Sequence, residues 1–221
     1  MTSRWISLDC YGTLVDWLSG FSMVLEPVAG KPTEKLLDAY HRHERLVEAE
    51  RPLHSYKEVL ALSLSHAANE IGLELNAEKA NVLAKGWHRL PIFEDVEPML
   101  AELRSAGWKL AVLTNCDEDL FELTHRCFKQ RFDLVITAEC VRDYKPALAH
   151  FNFFREQTGV RIEDWVHVAC SWFHDIAPAR ERGINHIWLD REGGQEKPSG
   201  TPRIESGAEL REALIQYYSL R

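Results

Sequence analysis

Asp9, Thr114, Asn115, Lys145 and Asp175 are the residues of this chain whose types and placement could do chemistry together. Each stands just beyond a short apolar run. Asp9 follows Trp5-Ile6-Ser7-Leu8, and Thr114 with Asn115 follows the run Lys109 to Leu113. Lys145 lies beyond Leu134 to Thr137, and Asp175 beyond Val166 to Ala169. A carboxylate can act as a nucleophile, and a nearby ammonium keeps it ionised. Hydroxyl and amide groups can orient both. Each residue alone has an ordinary account: Thr and Asn form turns anywhere, a Lys before Pro is usually solvated, and Asp175 suits the start of a helix. Their recurrence at the ends of successive strands points to one crevice, because open parallel sheets gather ligands at the carboxyl ends of their strands.

The elements that must position them follow from periodicity. Trp5 to Leu8 reads as a short buried strand, with Gly12 and Thr13 supplying a tight turn after Asp9. Residues 16–92 carry helical patterns with no strand between them. Ser55 with Glu58 has the form of a capping box, and Asn76 caps a further helix running to about Trp87. From Pro98 helices and strands alternate, with strands at Lys109 to Leu113, Leu134 to Thr137, Val166 to Ala169 and His186 to Leu189. The expected fold class is α/β: a doubly wound parallel sheet formed by residues 1–15 and 93–221, with residues 16–92 as a helical cap domain inserted after strand one. Arg191 to Arg203, rich in Gly, Pro and charge, reads as a surface loop.

Bulk composition narrows the partners. Of the 221 residues, 45% are apolar and 27% charged, an ordinary globular balance. The net charge of −8 disfavours nucleic acid and anionic membrane. No apolar run reaches the length of a membrane span and no signal peptide precedes the first strand, so a cytoplasmic protein is expected. The five cysteines are scattered without a Cys-x-x-Cys pair, which predicts reduced thiols and no zinc site.

The string Asp9-Cys10-Tyr11-Gly12-Thr13-Leu14 resembles motif I of the haloacid dehalogenase-like (HAD) superfamily. Within it, the string is similar to the 2-haloacid dehalogenase branch, which has Tyr where the phosphatases have a second Asp. The order Asp9, Thr114, Lys145, Asp175 extends the resemblance over essentially the whole chain. The resemblance implies a metal-independent hydrolase without a cofactor. Asp9 would attack C2 of a small 2-substituted carboxylic acid, expel the leaving group and form an ester that water then hydrolyses. Lys145 would keep Asp9 ionised, and Asp175 would position Lys145 or the water. Thr13, Thr114 and Asn115 would hold the nucleophile and the substrate carboxylate. Tyr11, Trp172 and His174 would border the substrate. A cap arginine would clamp its carboxylate, with Arg42, Arg45 and Arg51 in range and Arg42 taken as the candidate. Relatives of this kind often form homodimers.

The departures from that pattern bear on specificity. Cys170 and Trp172 replace a Ser and an Asn of the dehalogenase motif, Phe151 replaces a Tyr, and His174 stands where a Trp is usual. His174 either fills that space or protonates a poor leaving group. Halide, fluoride and a ring amine are therefore all open as leaving groups. Two competing readings are a Mg²⁺-dependent phosphatase with an eroded site and a non-catalytic binding protein on the same fold. Tyr11 and Cys170, neither of them an acid, argue against the first. The unpaired charges Asp9, Lys145 and Asp175 argue against the second.

Overall fold

A computed structural model describes residues 4–29, 33–191, 193 and 199–219. Residues 192 and 194–198 of the expected surface loop 191–203 lie outside the described residues. Six parallel strands form one sheet: β1 (Trp5–Leu8), β2 (Lys109–Thr114), β3 (Leu134–Thr137), β4 (Trp165–Ala169), β5 (Asn185–Leu189) and β6 (Arg203–Ile204). Their order is β3-β2-β1-β4-β5-β6, which places β1 at the centre. From β1 the chain goes to β2 and β3 on one side, then returns to β4 on the other. The switch point therefore falls beside β1, where such sheets open a crevice. Every residue of β1 is buried, as expected for a strand covered on both faces. Sequence periodicity shows the first five of these strands. β6 is only two residues long at the sheet edge and has no period to read.

Between β1 and β2 the chain is helical. It forms α1 (Trp17–Ala29), α2 (Glu34–Glu48), α3 (Tyr56–Glu70), and the short α4 (Ala77–Ala80) and α5 (Val82–Lys85). The single helix expected from Asn76 to Trp87 is thus broken. Asn76 does cap its start, accepting from the Lys79 N–H at 2.9 Å, but the chain turns again at Asn81 and Gly86. A Cβ on Gly86 would lie 2.6 Å from Val24, so the close approach of α1 requires glycine there. The Ser55–Glu58 capping box forms, with the Ser55 N–H donating to Glu58 at 2.8 Å.

The remaining helices, α6 to α11, pack in layers around the sheet. The first, α6 (Val96–Ser105), precedes β2, followed by α7 (Glu118–His125), α8 (Ala138–Val141), α9 (Ala149–Thr158), α10 (Ala177–Glu181) and α11 (Leu210–Ser219). One apolar cluster runs from β1 (Ile6, Leu8) into the helical segment (Phe21, Tyr40, Leu60) without interruption. Polar contacts join the same two parts. Buried Asp117, at the start of α7, accepts from the Tyr56 and Lys57 N–H groups at 2.7 and 3.0 Å. These are orphan donors of the first turn of α3, so a core carboxylate caps a helix of the inserted segment.

Candidate active site

Gly12 sets the first part of the site. Its φ of +92° lets the chain reverse directly after β1. The reversal points Thr13 back at the strand end, where its hydroxyl donates to Asp9 Oδ2 at 2.7 Å. Thr13 Oγ1 also accepts from the Cys170 N–H at 2.9 Å, which ties the loop after β4 to the loop after β1. Lys145 supplies the counter-charge. Its Nζ donates to Asp9 Oδ1 at 2.8 Å, to Asp175 Oδ1 at 2.7 Å and to the Leu113 carbonyl at 2.9 Å. All three ammonium donors are therefore engaged, on a side chain only 1% exposed. Burial alone would depress the Lys145 pKa, but Asp175 and Asp9 outweigh it and hold the ammonium above its ordinary value. Burial likewise opposes ionisation of Asp175, yet Lys145 and His167 keep that carboxyl well below the usual range.

Asn115 fixes the lysine from behind. Its amide accepts the Lys145 N–H at 2.7 Å and donates to the Lys145 carbonyl at 3.0 Å. It also donates to Glu48 Oε1 at 3.2 Å. Thr114 is buried at the end of β2 and lines the same pocket. Tyr11 borders it too, with its hydroxyl 2.9 Å from Thr124 Oγ1 and accepting from Trp87 Nε1 at 3.0 Å. Burial raises the Tyr11 pKa well above its ordinary value, so it remains a neutral phenol. The neighbouring thiols are inert for the same reason: burial pushes Cys10 up strongly and Cys116 up to about 12.

Beneath the carboxylates lies a buried polar chain that the sequence reading missed. Trp165 Nε1 donates to Ser7 Oγ at 2.8 Å, and Ser7 Oγ lies 2.8 Å from His167 Nδ1. The Asp175 carboxylate can only accept, so the neutral His167 ring carries its proton on Nε2 and Nδ1 accepts from the Ser7 hydroxyl. Nε2 then donates to Asp175 Oδ1 at 3.1 Å. The signal was available: Ser7 and His167 are polar residues at paired positions on two fully buried strands. Phe151 packs edge-on against His167, with ring centroids 5.0 Å apart.

The roof of the pocket comes from α2. His41, Glu44, Arg45 and Glu48 recur at i, i+3, i+4 and i+7 and share one face, which lines the cavity. That spacing decides between the arginines. Arg42 sits a step round the helix, where it is mostly exposed and pairs with Glu70, so it does not reach the pocket. Arg51 follows the helix and pairs with Asp143 at 3.0 Å. Arg45 is the arginine that lines the cavity, and its guanidinium donates to His41 Nε2 at 2.9 Å. Trp172 also departs from expectation. Its ring packs on Trp188 with centroids 5.3 Å apart, in a small cluster away from the cavity lining. Residues Trp172–Ile176 form a π-helical turn, and it is His174 and Asp175 that face the cavity. Glu44, Glu48, Tyr56 and Trp87 line it as well, unanticipated from sequence.

The model of the haloacid dehalogenase-like hydrolase family matches residues 34–189. The chain belongs to that family. Haloacetate dehalogenase H-2 of Moraxella sp. (strain B) is 26% identical over 196 residues, covering 85% of this chain and 86% of that protein. Phosphoserine phosphatase of Thermus thermophilus is 31% identical over a shorter stretch of 144 residues, covering 62% of this chain and 57% of that protein. The structure of L-2-haloacid dehalogenase from Xanthobacter autotrophicus with chloropropionic acid covalently bound superposes with a TM-score of 0.84 at 19% identity, covering 97% of this chain and 99% of that one. The HAD fold expected from the motif string is therefore the fold of this chain, and its full-length relatives include dehalogenases.

Proposed function

We propose that this protein is a metal-independent 2-haloacid dehalogenase-like hydrolase in which Asp9 displaces the leaving group from C2 of a small 2-substituted carboxylic acid. The observation that carries the reading is the seating of the Lys145 ammonium between Asp9 and Asp175, 2.8 and 2.7 Å from their oxygens. That ammonium occupies the space between the two carboxylates and offsets one of their two charges. Tyr11 and Cys170 add no anionic oxygen that would make the site a hard-cation cradle. The arrangement suits nucleophilic substitution: Thr13 and Lys145 each hold one Asp9 oxygen, fixing the carboxylate plane toward the cavity. A cavity of about 120 Å³ fits a small acid. Arg45 is the proposed partner of the substrate carboxylate, and residues 16–92 are the proposed cap that closes over it.

Asp9 attacks C2, the leaving group departs with the bond's electron pair, and an alkyl ester of Asp9 results. Water then adds at the ester carbonyl of Asp9 and releases the 2-hydroxy acid. The buried Asp175 Oδ2 has no hydrogen-bond partner among the described residues, so it can accept from that water. The cytoplasmic setting belongs to the same proposal and is supported by the free state of all five cysteines.

A single turnover of (S)-2-chloropropionate in ¹⁸O water, with enzyme in excess, tests the mechanism. Label should enter the peptide containing Asp9 and be absent from the lactate formed. Asp9→Asn should abolish turnover. Label in the first-turnover product, or near-normal activity in Asp9→Asn, would rule out Asp9 as nucleophile.

A further inference from the structure

We propose that His174 and Glu48 form a proton-donating pair that serves the leaving group, which fits the site to a group that must be protonated as it departs, such as fluoride or an amine. The inference rests on Asp9 acting at C2 and adds the acid that this step would use. His174 lies on the π-helical turn after β4, and Glu48 lies at the end of α2. Both face the cavity that holds Asp9. Glu48 Oε2 stands 3.5 Å from His174 Nε2, so the pair exists only where the helical segment meets the sheet.

Several other donors near Asp9 are committed. Lys145 spends its three protons on Asp9, Asp175 and Leu113. Thr13 donates to Asp9, and Tyr56 donates to Glu44 at 2.7 Å. The Tyr11 hydroxyl accepts from Trp87 and turns its proton to Thr124. His174 differs. Its Nδ1 is held 2.9 Å from Ser171 Oγ, while Nε2 is buried with no hydrogen-bond partner among the described residues. In the imidazolium, Nε2–H is a donor on a residue that lines the cavity, with Glu48 Oε2 3.5 Å away. A buried neutral histidine whose ring merely filled space would have no need of a carboxylate at that nitrogen.

The surrounding charges act in known senses. Burial opposes the charged imidazole, but Glu48 from α2 and Asp175 from its own turn outweigh this and raise the His174 pKa, against the opposing charge of Lys145. Burial also raises Glu48, reinforced by Glu44 and opposed by His174, so the pair keeps a proton to higher pH than free imidazole would. Arg45 stacks over Phe173, 5.0 Å from its ring centroid, and brings the remaining nearby charge from the roof.

The step balances. As an Asp9 oxygen bonds to C2, the C2–X pair goes to X and the Nε2 proton follows it, giving HX and neutral His174. Hydrolysis of the Asp9 ester consumes one water and yields the hydroxy acid, the Asp9 carboxylate and one proton, which returns to His174. A bromide gains little from that proton, whereas fluoride needs it.

The test compares (S)-2-fluoropropionate with (S)-2-bromopropionate as halide released in a single turnover with enzyme in excess, which reads only the first step. His174→Asn should slow fluoride release at least tenfold more than bromide release, and Glu48→Gln should do so in the same direction by less. In the wild type, fluoride release should fall as pH rises through the titration of the pair, while bromide release should show no matching fall. The His174 ring, followed by NMR, should lose its proton at lower pH in Glu48→Gln. Equal slowing of both halides, or no slowing, would overturn the proposal, as would a wild type that releases bromide but no fluoride. A wild type that releases neither would overturn the Asp9 reading itself and this inference with it.

Discussion

Lys145→Met removes an ammonium from between two buried carboxylates while keeping the length of the side chain. Each contact, at 2.7–2.8 Å, has a gross attraction of about 6 kcal/mol at an effective dielectric of about 20. Much of this offsets the cost of burying the ammonium. Deleting one member of such a buried cluster is expected to cost about 3–5 kcal/mol, because the partners remain buried and uncompensated. The carboxyl of Asp175 is held well below its ordinary range, so in the wild type its stabilising contribution is complete above about pH 4 and is lost only in stronger acid. In the variant Asp9 and Asp175 face each other without a cation and gain most by taking up a proton. The deficit relative to wild type should therefore be largest near pH 7 and shrink as pH falls toward 4. Urea unfolding at both pH values measures it. A second variant, Lys145→Met with Asp175→Asn, should recover much of the stability while remaining inactive, since a neutral amide needs no counter-charge. Single-turnover halide release should fall by at least about a hundredfold in both. A loss below about 1 kcal/mol at pH 7, or a deficit that grows in acid, would show that the ammonium is not the counter-ion of these carboxylates.

Two further outcomes are expected. Arg45→Ala should raise KM for a 2-halo acid at least tenfold with a smaller change in kcat, while Arg42→Ala should leave both near wild type, because only Arg45 faces the cavity; steady-state kinetics on the two variants would expose a wrong helix phase if their effects were reversed. His150 is buried, donates from Nε2 to the Thr114 carbonyl at 3.1 Å, and is pushed by burial and by Lys145 from 6.5 down to about 3. A depressed folded-state pKa means stability that is intact above about pH 6.5 and lost as pH falls toward 3, with about 2 kcal/mol gone at pH 5. His150→Gln should flatten that part of the stability profile in urea titrations, and an unchanged acid slope would refute it.

The core was legible because each strand end in a parallel sheet is a fixed position in space. Asp9, Thr114, Asn115, Lys145 and Asp175 are far apart in sequence, yet β1, β2, β3 and β4 run side by side in one direction, so the segments that follow them meet at one end of the sheet. A short motif read in strand register therefore carries three-dimensional information. β6 escaped notice because two residues at an edge show no alternation, and its pairing with β5 is set by the chain returning along Trp188 and Leu189. The polar chain Trp165–Ser7–His167–Asp175 was also readable in principle, since a Ser and a His within wholly buried strands must find partners.

The inserted helices obey a different rule, and there the reading by resemblance failed at Arg42. What places a helical residue in the cavity is its phase about the helix axis, and one residue corresponds to a rotation of about 100°. Leu36, Leu37 and Tyr40 define the buried side of α2, and the stripe His41, Glu44, Arg45 and Glu48 borders that side toward the sheet. Arg42 lies outside it and meets Glu70 on α3 at the surface. Trp172 failed for a related reason: an i to i+5 turn carries an extra residue, which sends Trp172 toward Trp188 and brings His174 and Asp175 to the crevice. The consequence reaches the chemistry. The floor of the site is fixed by strand register and presents Asp9, Lys145 and Asp175 with their supports. The roof is fixed by helix phase and presents two carboxylates, Glu44 and Glu48, beside Arg45. Tyr40 and Tyr56 donate to Glu44, and with His41 they hold it ionised against the effect of burial. A substrate that carried only a carboxylate would meet that anion as well as the guanidinium. On the proposed reading, a substrate that also brought positive charge or a protonated leaving group would be neutralised on both sides, which makes the roof residues, absent from the motif string, the ones to vary in a test of leaving-group preference.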